Sequence, residues 1–320
     1  MPVAFGIHDL AVDGNLTRLG NNLLDGLSNG AIWALVAIGY TLVYGIIELI
    51  NFAHGEVFMI GSFVAVGLYG TIGLGLGTAI PVLVLGLFLV LTISAIASGT
   101  LNVMIERVGY RPLRAAPKLA PLITAVGFSF ILQNVGLLWI GGSPASVLDL
   151  ARSQQELFQV GGIVVSNGDA LAILATVPLV VGVVWFIDRT RMGKAMRATA
   201  QDPEAARLMG IDVDRTISAT FLLGGLLAGA AGLVYALYQT TVWYFQGFTA
   251  GLIAFTAAVM GGIGNLRGAV LGGLIIGMIQ QISDNRIGSE WTPAVVFAFL
   301  VAIMVVRPEG LLGEETRHAG

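Results

Sequence analysis

Apolar residues run through this chain in blocks about as long as a lipid bilayer is thick, separated by short polar interruptions. A helix that crosses a membrane needs roughly 20 mostly apolar residues. Blocks of that kind lie at 24–47, 52–73, 79–103, 119–140, 170–187, 216–239 and 292–306. The stretch 250–282 is equally apolar but breaks at Gly264-Asn265-Leu266-Arg267-Gly268, and each half is short for a full crossing. It reads as a hairpin or as two broken helices. The pattern predicts an all-α, polytopic transmembrane bundle of about eight or nine membrane segments, broken helices included. Residues 1–320 then form one membrane domain, with no soluble domain and no internal repeat evident. The longest polar stretch, 188–215, is a loop of that domain.

Composition agrees with the pattern. Apolar residues make up 56% of the chain, charged residues 11%, and mean hydropathy is +0.86. A soluble domain carries about 25% charged residues. A water-soluble fold of this length could not enclose so much apolar surface, whereas lipid solvates it. The 44 glycines fit close packing of membrane helices through small residues. A net charge of −3 offers no basic surface to nucleic acid. The absence of cysteine excludes disulfides, thiolate metal sites and a cysteine nucleophile. The first twenty residues lack the basic start and apolar run of a cleavable signal, which predicts insertion through the first membrane helix.

Charge sets the orientation, because Lys and Arg accumulate on the cytoplasmic side. One basic loop holds Arg107, Arg111, Arg114 and Lys118; a second holds Arg189, Arg191, Lys194, Arg197, Arg207 and Arg215. Both are expected inside. The loop 141–169 carries one Arg and three acids and is expected outside, in agreement with two crossings between the basic loops. The tail after Val306 then lies inside, and three Asp against one Arg in the first 25 residues favour an N-terminus outside.

Two polar stretches carry candidate chemistry. In Gln201-Asp202-Pro203-Glu204-Ala205-Ala206-Arg207-Leu208-Met209-Gly210, Asp202 can cap a helix and Pro203 suits its first position. Glu204 lies near the positive end of the helix dipole, and Gly210 can adopt the left-handed conformation that ends the helix. A two-turn helix at 203–209 follows, presenting Leu208 and Met209 to the cytoplasm as a docking element or serving only as a connector. The second stretch places Glu48, Asn51, His54 and Glu56 within nine residues, with Gly55 as a possible helix break, between two apolar runs. In a continuous helix Glu48, Asn51 and Gly55 would share a face. The stretch reads as a wall or hinge of a translocation pathway. It also reads as a polar turn at the membrane edge capped by Asn51 and Glu56, or as a proton relay through His54.

The residues Glu204-Ala205-Ala206 followed by Gly210 resemble the "EAA…G" coupling loop of ATP-binding cassette importer permeases. The run INFAHGE at 50–56, with Asn29-Gly30-Ala31-Ile32-Trp33-Ala34-Leu35 before it, resembles the first of the two permeases in branched-chain amino acid importers. The likeness continues at 106–114, 193–198 and 261–264 and ends at Arg307-Pro308-Glu309-Gly310-Leu311-Leu312-Gly313. It spans nearly the whole chain after residue 20, leaving 141–169 without a recognised motif. The resemblance implies a multi-pass permease of the bacterial inner membrane. Its partners would be ATPase subunits, a second permease copy or homologue, and an extracytoplasmic solute-binding protein. It implies that Asp202, Pro203, Glu204, Ala205, Ala206, Leu208, Met209 and Gly210 engage an ATPase, and that the solute is leucine, isoleucine or valine. Urea, short amides or other amino acids are the alternatives. This chain would bind no cofactor, with ATP and Mg held by the ATPase partners.

Glycines recur at Gly225 and Gly229, then at Gly264, Gly268 and Gly272 with four-residue spacing, followed by Gly273 and Gly277. This predicts helix faces packed closely against another span or subunit. Gly262-Ile263-Gly264 fails as a dinucleotide fingerprint, and no GxxxxGK[ST] sequence is present. An ion-coupled secondary transporter or channel is the competing class; it has no need of a capped cytoplasmic helix. A membrane enzyme finds no His and acid cluster to support it.

Overall fold

A computed structural model describes Phe5, Gly6, Asp9, residues 16–114 and residues 116–313. Helices dominate. In chain order they are α1 (Thr17–Ile47), α2 (His54–Ile72), α3 (Ile80–Ile105), α4 (Leu119–Ile140), α5 (Asn167–Arg189), α6 (Arg191–Gln201), α7 (Pro203–Leu208), α8 (Val213–Gln239), α9 (Gln246–Gly261), α10 (Leu266–Arg286) and α11 (Thr292–Val306). A π-helical turn, Glu106–Tyr110, and a 3₁₀ turn, Arg111–Leu113, continue α3 into the first basic loop. Among the described residues, seven helices are long and apolar enough to cross a membrane, and α9 and α11 are shorter apolar helices of 16 and 15 residues. The chain is thus an all-α, polytopic membrane bundle.

Burial divides the helices into two groups. The most apolar windows of α1 and α8 are 78% and 72% buried within the chain, against 17–22% for α3, α4 and α5. Helices α1 and α8 therefore form the centre. The outer helices turn Val84, Leu85, Phe88, Phe130, Leu138, Val181 and Trp185 outward, as lipid contact requires.

The helices of the centre approach along glycines. A side chain at Gly277 would strike the backbone of Gly30, and one at Gly273 would lie 2.6 Å from the Ala34 backbone, so α10 lies directly on α1. Toward the outer end of this pair, Trp33 donates to Gln280 at 2.7 Å, Asn29 to Gln281 at 3.2 Å and Asn285 to Asn22 at 2.8 Å. On α8, side chains at Gly225 and Gly229 would meet α3 at Ser98 and Ser94. Ser94 donates across this contact to the Gly229 carbonyl at 3.2 Å, and to the Gly61 carbonyl of α2 at 2.6 Å; Ser98 donates to the Val57 carbonyl of α2 at 3.2 Å. Hydrogen bonds of this kind between membrane helices contribute about 0.6 kcal/mol each.

The stretch 250–282 is an antiparallel hairpin of α9 and α10: Gly268 packs on the Gly261 carbonyl and Gly272 on that of Ala257. Gly264 departs from the expected packing stripe. It has φ +94° and open space around its α-carbon, so it forms the turn between the helices. The stripe on α10 is in fact two faces, Gly268 and Gly272 toward α9 and Gly273 and Gly277 toward α1.

The loop 141–166 is more structured than its sequence indicates. Strands β2 (Glu156–Val160) and β3 (Ile163–Ser166) pair antiparallel around Gly161-Gly162, both at positive φ as a tight hairpin turn requires. β1 (Ala145–Ser146) pairs with β4 (Thr241–Val242) after α8. The Val164 amide donates to Asn21 at 2.9 Å, so the start of α1 lies on the same side as this outward loop. At its other end α1 leads to Glu48, paired with Lys118 of the first basic loop at 3.0 Å. The two ends of α1 therefore lie against the two loops of contrasting charge.

Candidate functional site

The polar stretch 48–56 is not helical throughout. Helix α1 stops at Ile47, Glu48 takes a left-handed φ of 53°, and α2 begins only at His54. The shared face of Glu48, Asn51 and Gly55 that a continuous helix would produce therefore does not exist. Glu48 is exposed and its pair with Lys118 is exposed on both sides. It stands at the edge of the bundle, apart from the buried group. Asn51, His54 and Glu56 are all buried. Neither Asn51 nor Glu56 is the residue before α2; that position is Ala53, whose amide donates to the Asn51 side chain at 3.2 Å.

The start of α2 sits deep in the bundle because glycines make room for it. The His54 ring occupies the space that a side chain on Gly39 would fill, with Gly224 beside it and Tyr40 edge-on at 4.8 Å between centroids. Its ring faces the Val36 carbonyl without a well-formed hydrogen bond. Gly55 abuts the Gly247 carbonyl and the Gly251 backbone of α9, so two helix N-termini, of α2 and α9, cross at this depth. Glu56 faces Ser129 of α4, again without a well-formed hydrogen bond. The His54 ring thus fills an aromatic–glycine socket with both ring nitrogens buried.

Asn51 fastens the break to its surroundings. It donates to Asn102 of α3 at 3.1 Å, and Asn102 donates to the Phe221 carbonyl of α8 at 2.6 Å. The Tyr110 hydroxyl donates to the Ile50 carbonyl at 3.2 Å and lies 3.4 Å from the Asn51 oxygen. Asn102 and Tyr110 carried no sequence signal as site residues. Their partners lie about 50 to 120 positions away, beyond the reach of any local pattern.

The polar stretch 188–215 holds two helices rather than one. Thr190 caps α6 by accepting from the Gly193 amide at 3.0 Å, and Gly193 lies against the Ile187 backbone where no side chain fits. Asp202 ends α6 and caps α7, accepting from the amides of Glu204 at 2.8 Å and Ala205 at 2.9 Å. Pro203 is the first residue of α7, Ala206 is its buried anchor, and Gly210 follows at φ +82°. Leu208 and Met209 are 89% and 83% exposed, the most exposed apolar side chains outside the lipid-facing helices. The Ile211 amide returns to the Ala206 carbonyl at 3.0 Å and closes the end of α7, two residues before α8 begins.

A cavity of about 670 Å³ lies between the end of α1, α5, α6, α8 and the turn 263–267. Thr41, Ile46, Asp188, Arg197 and Arg267 are among its lining residues, and none of residues 48–56 lines it.

The model of a family described as branched-chain amino acid transport system permease component matches residues 22–304, which contain both the buried break and the capped helix. The chain belongs to this family of permeases. It is 39% identical to the high-affinity branched-chain amino acid transport system permease protein BraD of Pseudomonas aeruginosa, over 91% of this chain and 94% of the relative. It is 38% identical to the corresponding permease LivH of Escherichia coli K12 over the same shares of the two chains. A more distant likeness, 28% identity over 61% of this chain and 56% of the relative, joins it to the fructose import permease FrcC of Rhizobium meliloti. The permease scaffold thus accompanies chemically different solutes in its relatives.

Proposed function

We propose that this chain is the membrane-spanning permease subunit of an ATP-binding cassette importer for branched-chain amino acids. The observation that carries the reading is α7, a capped helix between two membrane spans that holds Leu208 and Met209 exposed; in this reading it faces the cytoplasm. Exposed apolar side chains on a fixed helix have a use when a partner covers them. In this reading the partner is an ATPase subunit that holds ATP and Mg. A second permease subunit completes the pathway, and an extracytoplasmic binding protein delivers leucine, isoleucine or valine. The family membership supports the permease role, and the printed names of BraD and LivH support the solute class. The test is reconstitution of the complete transporter in liposomes. Uptake of leucine is expected to require ATP and the binding protein. Leu208→Asp is expected to release the ATPase subunit while leaving the chain in the membrane at normal abundance. Uptake by this chain alone on an ion gradient would replace the reading with an ion-coupled transporter.

A further inference from the structure

Between α7 and the buried break lies a charged cluster that neither stretch contains. Glu106, the first residue of the π-helical turn, has a fully buried carboxylate. It accepts from the guanidinium of Arg114 and from the Ser218 hydroxyl of α8, the latter at 2.7 Å. Arg114 donates its other terminal nitrogen to Asp214, in the first turn of α8, and Arg111 donates to the same Asp214 at 2.7 Å. Arg114 is thus the one side chain that joins Asp214, six residues after Leu208, to a carboxylate inside the bundle. The π turn that begins at Glu106 ends at Tyr110, whose hydroxyl grips Ile50 and Asn51.

We infer that Arg114, held between Glu106 and Asp214, is the positioning residue through which movement of α7 reaches the break between α1 and α2. The inference rests on the reading of α7 as the ATPase-docking helix. Three physical points carry it. The Ile211 amide closes α7 onto its own Ala206 carbonyl, and only Asp212, the cap of α8, follows before that helix begins, so a push on α7 is carried along a short connection to Asp214. While Arg114 holds Asp214, a shift of Asp214 must draw the guanidinium with it or pull it off the buried Glu106 carboxylate, and leaving that carboxylate unpaired is strongly disfavoured. The segment it acts on is a π turn, a form found in single turns at functional sites and able to return to the α form by shifting one residue's hydrogen bonds. Displacement at Arg114 therefore ends at Tyr110, and there at the Asn51–Asn102 contact that seats α2.

The test uses the complete transporter in liposomes and reads solute moved per ATP hydrolysed. Asp214→Asn removes the outer anchor and leaves the buried Glu106–Arg114 pair in place. It is expected to keep abundance, ATPase binding and hydrolysis, and to lower solute per ATP on the order of tenfold, the size of a typical coupling between sites. Arg114→Lys cannot span both carboxylates and is expected to give a similar loss. Should Arg114→Lys fail to fold, Asp214→Asn alone decides. A wild-type ratio in Asp214→Asn would overturn the inference. Leu208→Asp run in parallel separates the two claims: if it releases the ATPase while Asp214→Asn keeps full coupling, the docking helix stands and the transmission role of Arg114 falls. If Leu208→Asp leaves ATPase binding intact, the docking reading itself falls.

Discussion

At the scale of single residues, absence of a side chain does as much as presence. Gly39 leaves the volume that the His54 ring fills, and Gly55 lets α9 reach the α2 backbone. His54 then acts as a filler of defined shape. Truncating it empties a buried socket, and losses of that kind cost a few kcal/mol. His54→Ala is expected to lower the thermal unfolding temperature of the purified protein, with abundance and uptake falling together. Adding Gly39→Ala to His54→Ala places a methyl group in the vacated space, so the double variant is expected to be more stable than the two single effects predict. Unfolding temperatures of all four proteins close the cycle. A proton relay would show the opposite pattern, with uptake lost at unchanged stability. Glu48, by contrast, belongs to an exposed pair, a class worth little to stability.

At the scale of elements, local codes were legible and distant ones were not. Asp202-Pro203 announces α7, because a capping carboxylate and a residue without an amide proton act on their immediate neighbours. Asp202→Ala is expected to cost α7 about 1 kcal/mol and to weaken capture of the ATPase subunit in pull-down. The unfolding temperature of the membrane bundle is expected to stay unchanged, since the cap touches only α7. The spans were legible for the same local reason, as bilayer thickness is written in run length. The break at 48–53 was visible as polarity but not as geometry: whether α1 ran on depended on Asn102 and Tyr110, whose contacts cross from α3 and its π turn. Helix α6 was missed because its amphipathic run is cut short and its start rests on Thr190 and a glycine seated on Ile187. The Glu106–Arg114–Asp214 cluster has charges in ordinary loop positions, and only folding brings residues about 100 apart together.

At the scale of the whole molecule, the bundle is a buried pair, α1 and α8, closed by α10 and surrounded by helices that face lipid. The α1–α10 contact runs along Gly26, Gly30, Gly273 and Gly277 with hardly any space to spare. Gly277→Leu is expected to prevent this closure and to leave little folded protein, measured as the monodisperse fraction after detergent extraction. The same substitution at Gly182, which faces open space, is expected to be tolerated in the isolated chain. The α1–α10 pairing also has a consequence for biosynthesis. The helix that enters the membrane first is completed last, because the partners of Asn22, Asn29 and Trp33 are Asn285, Gln281 and Gln280. At ordinary rates of synthesis the ribosome needs roughly 10–50 s to make the intervening chain. During that interval Asn29 can already meet Gln239 of α8, whereas Asn22 and Trp33 await Asn285 and Gln280. A chain cut short before α10 never acquires these partners, so the last long hairpin is what completes the first helix.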